Sequence, residues 1–425
     1  MQKSLWHELT WRGLINQVTD PSLERLLDEE RIVVYQGFDP TAPSLHFGHL
    51  LGLLTLRRFQ EHGHRPIVVA GGATASIGDP GGRSSERNLL PEEVVAENLE
   101  RVSKQLQAFL DFSGGDSSAV LLDNRDWLGP VSLIWFLREV GKHFSVNAMV
   151  TKDSVRARLE GGGISYTEFS YMLLQAYDYL HLYDDYGCRL QVGGSDQWAN
   201  ITAGVELIRR SRQETVFGLT TPLVVKADGT KMGKTASGAI WLDPSMTSPY
   251  AFYQFLLRAE DSMVATYLRY FTWLEPAEVA ELEASTKERP EERAAQRRLA
   301  KELTALVHGA EAARRAEQAS EVLFGGDPRS LDEESLLEAF SEAPSSNHPR
   351  SLLEGPGWDL VDALASVGLA SSKAEARRLV AQRAVLVNNS PAEQDRRIGP
   401  SDLIAGRYVV LKRGKHRHHL LSFEA

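Results

Sequence analysis

The sequence has one cysteine among its 425 residues and no long hydrophobic run. A single thiol, Cys188, can form neither an internal disulfide nor a cysteine-rich zinc site, so we expect no oxidising compartment and no protein-bound zinc. No stretch reaches the roughly 20 apolar residues that a membrane-spanning helix needs, and the acidic residues near the N-terminus are not typical of a signal peptide. These absences predict a cytoplasmic protein without a membrane segment.

Positive charge is also in deficit, with 47 Lys and Arg against 57 Asp and Glu and a net charge of −10. That sum argues against a polyanionic partner, but the charge is unevenly distributed. From Ser371 to the end, eleven Lys and Arg stand against five Asp and Glu. A basic terminal segment on an acidic chain favours local contact with nucleic acid.

The order of the segments predicts several domains. Short apolar runs alternate with amphipathic stretches from about residue 31 to 225, which predicts an α/β domain with a parallel sheet wrapped by helices. Helical sequence rich in Glu, Ala and Arg follows, and then a stretch rich in Gly, Pro and Ser. We therefore predict an α/β domain (1–225), a helical subdomain (226–323), a linker (324–357) and a small α+β unit (358–425).

Two short motifs could carry chemistry. In HFGH, His46 and His49 share one face of a predicted first helical turn, where unpaired N–H groups favour a phosphate. Such a pair alone is more typical of a structural contact, but Gly48 between the histidines suggests that something large lies against the backbone. In KMGKT, Lys231 and Lys234 flank a glycine on a turn-rich loop, and alone they would indicate only a solvated basic loop.

Together these motifs resemble the HIGH-type and KMSKS-type motifs of class I aminoacyl-tRNA synthetases. Longer segments resemble the bacterial type of tyrosyl-tRNA synthetase, in that family's order: YQGFDPTAPSLHFGHL, IGDPGGR, YTEFSYMLLQAYDYLHL and QVGGSDQWANIT. The resemblance spans essentially the whole chain. It implies a Rossmann-like catalytic domain and a homodimer, with L-tyrosine, ATP and tRNA(Tyr) as substrates and Mg²⁺ accompanying ATP.

The third of these segments has a polar helical face. Tyr171, Gln175 and Asp178 follow one another at helical spacing, so a phenol, an amide and a carboxylate lie on one side of the predicted helix. Such a stripe can be a helix edge at the core boundary, but apolar residues already occupy the other faces, so the polar row needs a polar partner. The resemblance assigns the tyrosine-binding residues: Tyr35 and Asp178 to the phenol, Asp79, Tyr171 and Gln175 to the α-ammonium group, and Gln197 to the pocket wall.

Glycines at 193 and 194 follow a predicted strand, where a nucleoside can approach the backbone and a carboxylate can accept ribose hydroxyls. A tight turn into the next helix is the alternative interpretation. No G-x-G-x-x-G pattern is present, which disfavours a nicotinamide enzyme. The resemblance implies the ATP-binding residues Gly37, Asp39, Gly48, Gly194, Asp196 and Lys234, and the catalytic residues His46, His49, Thr41, Lys231, Lys234, Thr235, Arg83 and Arg87. Better-studied members have lysine at the position of Arg83, and some have cysteine at that of Gln36.

The terminal unit resembles an S4-type RNA-binding domain. Ser372 to Glu375 fits a capping box at the start of a basic helix, and strand-like segments and a basic tail follow. The implied RNA contacts are Lys373, Arg377, Arg378, Lys412, Arg413 and Lys415. A solvated charged helix with a basic tail is the alternative.

The resemblance implies a two-step reaction: tyrosine and ATP give tyrosyl-adenylate and pyrophosphate, and the tyrosyl group then passes to the 3′-terminal adenosine of the tRNA. One alternative is a class I relative that activates another aromatic amino acid, against which Tyr35 and Asp178 argue. The other is an RNA-binding regulatory protein that keeps the fold without aminoacylation, against which the complete HFGH and KMGKT motifs argue. The apolar stretch 127–151 is the candidate dimer interface.

Overall fold

The computed structural model describes residues 4–81, 89–235, 238–323, 325–341, 343–414 and 417–424. The chain divides into two compact units. The first comprises Met1–Thr247 and Glu260–Ala295, and the second comprises Ser248–Ala259 and Gln296–Ala425. The four domain boundaries expected from the sequence stay predictions.

The strands within these residues, numbered in chain order, are β1 (Gln17–Val18), β2 (Val33–Phe38), β3 (Arg65–Ala70), β4 (Val120–Asp123), β5 (Cys188–Gly194), β6 (Phe217–Thr221), β7 (Lys234–Thr235), β8 (Gly238–Ala239), β9 (Ser345–Pro349), β10 (Trp358–Asp359), β11 (Val385–Val387), β12 (Ser390–Pro391), β13 (Arg397–Ile398), β14 (Tyr408–Arg413) and β15 (Arg417–Glu424).

The α-helices are α1 (Leu5–Arg12), α2 (Leu23–Glu29), α3 (Phe47–Glu61), α4 (Glu92–Gln107), α5 (Arg125–Leu128), α6 (Leu133–Glu139), α7 (Val146–Val150), α8 (Asp153–Gly161), α9 (Tyr166–Tyr186), α10 (Trp198–Arg212), α11 (Pro249–Leu257), α12 (Val264–Phe271), α13 (Pro276–Glu288), α14 (Ala294–His308), α15 (Ala310–Leu323), α16 (Glu333–Ala339), α17 (Leu360–Ser366) and α18 (Lys373–Ala381).

The first unit is built on a six-stranded sheet with the order β1-β6-β5-β2-β3-β4. Strands β2 to β6 are parallel, and the two-residue β1 pairs antiparallel with β6 at the edge. Strands and helices alternate along the chain, as in the order β2, α3, β3. The two strands bury apolar residues, and α3 buries its leucines. This confirms the predicted α/β class with a parallel sheet.

The strand order reverses between β2 and β5. The chain passes from β2 to β3 and β4 on one side, and then to β5 and β6 on the other. The loops that leave the carboxyl ends of β2 and β5 therefore run in opposite directions and open a crevice, which is where ligands bind in open parallel sheets. The HFGH segment follows β2, and Ser195 to Gln197 follow β5.

The second unit contains the helices α11 and α15 to α18, most of α14, and a five-stranded sheet with the order β12-β11-β14-β15-β9. Strand β9 pairs parallel with β15, while the other neighbours are antiparallel. Strand β9 lies inside the stretch that the composition predicts to be a linker. The Ser372 hydroxyl caps α18 by accepting from Glu375 N–H, at 3.2 Å, and the Glu375 carboxylate accepts from Ser371 N–H rather than from Ser372.

In the part of the chain that the structure describes, no helix combines the length and the apolar character that crossing a bilayer requires. The cytoplasmic location stays a prediction. Cys188 is buried, and burial raises the pKa of its thiol well above the usual range.

Candidate active site

A cavity of about 350 Å³ opens in the first unit at the carboxyl ends of β2 and β5. It is large enough for a small-molecule ligand. Fifteen of the residues singled out from the sequence line it: Tyr35, Gly37, Asp39, Thr41, His46, Gly48, His49, Asp79, Tyr171, Gln175, Asp178, Gly194, Asp196, Gln197 and Lys231. The structure thus brings together segments that lie almost 200 residues apart in the sequence.

Tyr35 and Asp178 form a buried polar corner of the cavity, with 1% and 4% of their surfaces exposed. The Tyr35 hydroxyl has no hydrogen-bond partner within the described residues. The Asp178 carboxylate accepts from the indole N–H of Trp127 at 2.8 Å and from the amide of Asn124 at 3.1 Å. A buried hydroxyl without a partner costs free energy, so this corner is suited to a ligand with its own polar group.

Burial controls the charge of this corner. It raises the pKa of the Asp178 carboxyl to about 8, although the two donors from Asn124 and Trp127 oppose the shift. Burial, followed by the nearby Asp178 charge, raises the pKa of the Tyr35 phenol well above its usual value. The corner therefore holds a neutral phenol beside a carboxyl group that titrates near neutral pH.

A chain of hydrogen bonds connects Asp178 with Asp39. The Asn124 amide also donates to the Thr74 hydroxyl at 2.9 Å, and that hydroxyl donates to Asp39 Oδ1 at 2.7 Å. The Tyr171 hydroxyl donates to the other Asp39 oxygen at 2.7 Å. Tyr171 and Asp178 are thus linked through Asp39, Thr74 and Asn124 as well as through helix α9.

A second carboxylate lies in the cavity at Asp79. Its Oδ2 accepts from the Gln197 amide at 2.6 Å, and its Oδ1 accepts from Gly81 N–H at 2.8 Å. Gln197 is itself held by the Asn200 amide at 3.1 Å. Asp79 is almost fully buried and held by these donors, so its carboxyl oxygens are oriented toward the cavity for a cationic ligand group.

The two histidines are held by the start of α3. His46 is the N-cap residue, just before the first turn, and its Nδ1 accepts from Gly48 N–H at 3.1 Å. His49 Nδ1 accepts from His46 N–H at 3.2 Å, and the two rings stack at 3.7 Å. Because Nδ1 accepts in both rings, each neutral imidazole carries its proton on Nε2, where it can be donated.

Gly48 lies beside the His46 ring. A Cβ atom there would lie 3.0 Å from that ring, so the glycine makes room for it. Gly48 also lines the cavity, and a ligand against its backbone stays a prediction.

The KMGKT segment reaches the same cavity. The Lys231 ammonium group donates to Asp196 Oδ2 at 3.2 Å, and Lys234 and Thr235 form β7, which pairs with β8. Beyond this hairpin the chain returns beside the start of α3: Phe47 N–H donates to the Ile240 carbonyl, and Leu242 N–H donates to the Leu45 carbonyl, both at 2.8 Å. This short antiparallel pairing ties the lysine segment to the histidine segment.

Other residues singled out from the sequence lie elsewhere. Arg83, Arg87 and Lys415 are outside the described residues. On α18 of the second unit, Lys373, Arg377 and Arg378 are exposed. Their roles in the activity stay predictions.

Lys412 and Arg413 do not have the exposure that the sequence suggested. Lys412 is 7% exposed and donates to the Leu323 carbonyl at 3.4 Å, and burial lowers the pKa of its ammonium group. Arg413 donates to the Leu369 carbonyl and to Glu375. Strand β14 is buried from Tyr408 to Lys412, so Lys412 lies within the protein, which the basic run alone does not indicate.

Sequence reasoning missed several cavity residues, namely Gln36, Thr74, Asn124 and Gln191. The carbonyl oxygens of the Gln36 and Gln191 side chains are buried and have no hydrogen-bond partner among the described residues. Gln36 and Gln191 are polar residues inside apolar strands, which was the available signal, whereas Thr74 and Asn124 lie outside the strands. Among the described residues, no group of three or more His, Cys, Asp or Glu side chains is arranged to hold a metal ion.

The Asp178 carboxyl makes stability depend on pH in the ligand-free chain. The carboxyl group of an unfolded aspartate titrates near pH 4, so between about pH 4 and 8 the Asp178 proton is bound in the folded chain but not in the unfolded chain. Over this range the free energy of unfolding therefore falls by about 1.4 kcal/mol for each unit by which the pH rises. We expect Asp178→Asn to flatten the decline seen in denaturant unfolding between pH 5 and 8. Equal slopes for the two proteins would contradict the assigned ionisation.

Comparison with known proteins identifies the family. Residues 27–325 match the family model described as tRNA synthetases class I (W and Y). Residues 336–421 match the tyrosine–tRNA ligase SYY-like C-terminal domain. Both regions of the chain thus match models that describe such synthetases.

Individual relatives support the same family assignment. A tyrosine–tRNA ligase of Roseiflexus castenholzii is 55% identical over 416 residues, covering 97% of this chain and 98% of the relative. One from Geobacillus stearothermophilus is 52% identical over 419 residues, covering 98% and 99%. The crystal structure of a C-terminally truncated mitochondrial tyrosyl-tRNA synthetase from Aspergillus nidulans has a TM-score of 0.69 and 33% identity, covering 76% of this chain and 95% of that one. The alternative of a regulatory RNA-binding protein gains no support. This chain belongs to the class I tyrosyl-tRNA synthetase family.

Proposed function

We propose that this member of the family activates L-tyrosine with ATP in the cavity at the carboxyl ends of β2 and β5, and then transfers the tyrosyl group to tRNA(Tyr). The observation that carries the proposal is the composition of one cavity. It holds the buried, unpartnered Tyr35 hydroxyl beside Asp178, and it also holds His46, His49 and Lys231. Phenol recognition and phosphate chemistry thus share one space.

Tyrosine binds with its phenol in the corner formed by Tyr35 and Asp178. The ligand hydroxyl supplies the hydrogen-bond partner that Tyr35 lacks among the described residues. Phenylalanine would fill nearly the same volume but would not supply a hydrogen-bond partner to the buried Tyr35 hydroxyl, which disfavours it. The α-ammonium group binds near Asp79, Tyr171 and Gln175, since the buried Asp79 carboxylate supplies the opposite charge.

ATP binds across the loops after β2 and β5. The Asp196 carboxylate accepts hydrogen bonds from the ribose hydroxyls. It lies close to the backbone of Gly194, where a Cβ atom would be 2.8 Å from Asp196 Oδ1. Gly37, Asp39 and Gly48 line the remaining nucleotide space. Magnesium enters with the triphosphate as part of the substrate.

In the first step, a carboxylate oxygen of tyrosine attacks the α-phosphorus of ATP. The new bond joins that oxygen to phosphorus, the bond to the β-phosphate oxygen breaks, and pyrophosphate leaves with the electron pair. Protein donors stabilise the charge that develops on the phosphates. His46, His49 and Thr41 act from the α3 side and Lys231, Lys234 and Thr235 from the loop, while Arg83 and Arg87 complete the proposed set.

In the second step, a ribose hydroxyl of the 3′-terminal adenosine attacks the tyrosyl carbonyl carbon. The ester bond forms, the bond from the carbonyl carbon to the phosphate oxygen breaks, and AMP leaves with its phosphate taking up the proton of the ribose hydroxyl. No protein nucleophile is required in either step, because the enzyme acts by positioning and by charge stabilisation.

Removing one phosphate donor tests the first step. Lys231→Ala should lower the rate of tyrosyl-adenylate formation by about 10²- to 10³-fold, since the contact strengthens in the transition state. The tyrosine dissociation constant should stay within about twofold for the same reason. Rapid-quench measurement of activation, together with equilibrium binding of tyrosine, gives both quantities.

Lys226→Ala is the matched control, since Lys226 precedes the same segment but does not line the cavity. It should activate tyrosine at the wild-type rate. Equal rates for Lys231→Ala and the wild type would contradict the role proposed for the loop.

The S4-type terminal unit binds the tRNA through the exposed basic side of α18. Lys373 and Arg377 are one turn apart and Arg378 is adjacent, whereas Lys412 and Arg413 are engaged within the protein. Lys373 pairs with Asp362 at 2.8 Å, an exposed pair that a phosphate can replace at little cost. Phosphate contacts of this kind make binding sensitive to salt.

Charge removal on α18 tests this surface. Arg377→Gln should weaken tRNA binding and lower the slope of log affinity against log salt by about 1, the value for one lost phosphate contact. Tyrosine activation should be unaffected, because α18 is not part of the cavity. Arg407→Gln is the control, as Arg407 pairs with Glu424 elsewhere in the unit. An unchanged slope for Arg377→Gln would contradict the assignment.

The chain forms a homodimer through the stretch 127–151. Helix α6 in this stretch exposes Leu133, Ile134, Trp135 and Leu137, with Ile134 exposed by 73%. A contiguous apolar surface of this kind is costly in water and is typical of an interface.

A charge in the middle of this surface tests the dimer. Ile134→Asp should shift the sedimentation mass from dimer to monomer at micromolar concentration, because an unpaired charge would be buried on association. Leu337→Asp, on exposed α16, should keep the dimer mass. Unchanged dimer mass for Ile134→Asp, or a monomeric wild type, would contradict the interface.

A further inference from the structure

The lysine segment depends on a very short strand pairing. Residues 240–242 return from the β7–β8 hairpin and pair with residues 45–47 through two hydrogen bonds of 2.8 Å and the bridge between His46 and Trp241. Isolated two-stranded pairings are marginally stable at best. Something outside the pairing must hold it in register.

A single hydroxyl joins the two strands of this pairing. Ser44 is buried, and its Oγ donates to the Leu45 carbonyl at 2.7 Å and accepts from Asp243 N–H at 3.1 Å. Leu45 belongs to the histidine strand and Asp243 follows the returning strand. The orientation of this hydroxyl therefore decides whether both strands are held.

A side chain from α4 fixes that orientation. Gln105 Nε2 donates to Ser44 Oγ at 3.0 Å, which uses the last acceptor position of the hydroxyl. Gln105 Oε1 accepts from Leu45 N–H at 2.8 Å. The Gln105 side-chain amide thus donates one hydrogen bond to Ser44 and accepts one from Leu45, the two residues immediately before His46.

Helix α4 is well placed to act as a fixed support. Its Asn98 amide donates to the Pro40 carbonyl at 3.1 Å, so the helix also holds the loop that leaves β2. Neither Gln105 nor Ser44 lines the cavity. Any effect of Gln105 on the reaction must therefore pass through the backbone of residues 44–47 and 240–243.

We infer that Gln105 is a positioning residue that, through Ser44, keeps the Lys231 and Lys234 segment in register with the start of α3. This inference rests on the proposed role of that segment in activation. It assigns a function to a residue on a helix that the motifs do not include.

Activation should respond to Gln105 while other steps do not. Gln105→Met keeps the length of the side chain but removes both hydrogen bonds, and it should slow tyrosyl-adenylate formation by about 10- to 100-fold, the range expected for small misplacements of catalytic groups. The tyrosine dissociation constant should stay within about twofold. The transfer rate from preformed adenylate should also be retained, because pyrophosphate has already left.

Conservative and matched variants separate positioning from folding. Gln105→Glu keeps an acceptor for Leu45 N–H but has no donor for Ser44 Oγ, so it should slow activation nearly as much as Gln105→Met. Gln107→Met makes the same change at an exposed position of α4 and should match the wild type. In the Lys231→Ala background, Gln105→Met should slow tyrosyl-adenylate formation by a clearly smaller factor than in the wild type, because the effects of mutations at coupled residues are not additive.

The outcomes are distinct. A slow Lys231→Ala with a normal Gln105→Met overturns the inference and leaves the proposed function standing. A normal Lys231→Ala overturns the proposed function. If Gln105→Met reduces tyrosine affinity and the transfer rate as much as activation, the residue supports the fold in general and the inference is wrong.

Discussion

The structure depends on the pairing of two short backbone segments, 45–47 and 240–242. The first segment contains His46 and begins α3, which carries His49, and the second directly follows β8, beyond Lys231. The backbone hydrogen bonds of this pairing, supported by the Ser44 hydroxyl, align the two segments, so donors from distant parts of the sequence face one space. Without that register the histidines and the lysine segment would be two unrelated basic groups.

A second constraint is the cost of burying polar groups. The Tyr35 hydroxyl and the side-chain carbonyls of Gln36 and Gln191 are buried without partners among the described residues, whereas Asp39, Asp79 and Asp178 are held by donors from the protein. Groups held in this way keep their orientation in the empty cavity, and groups without partners gain the most from a ligand. This division explains how a site can be both rigid and selective for a hydroxyl.

Much of the architecture could be predicted from the sequence. Apolar runs gave the parallel strands, and helical spacing correctly put Tyr171, Gln175 and Asp178 on one side of α9, where all three line the cavity. The family and the activity followed from motifs in order, and the comparisons confirm both. These features are local in sequence, so periodicity and motif spacing reveal them.

The remainder depends on contacts between distant segments. Helical spacing puts Gln105 nearer than Gln107 to the buried face of α4, but it does not reveal that the Gln105 amide reaches Ser44. The Asn124 and Thr74 bridge and the burial of Lys412 likewise depend on residues far apart in the sequence. The most direct test of the central claim is a crystal structure with a non-hydrolysable tyrosyl-adenylate analogue. We expect the phenol within hydrogen-bonding distance of Tyr35 and Asp178, with the phosphate facing His46 and His49. An analogue bound with its phosphate away from both the histidines and Lys231 would contradict the account.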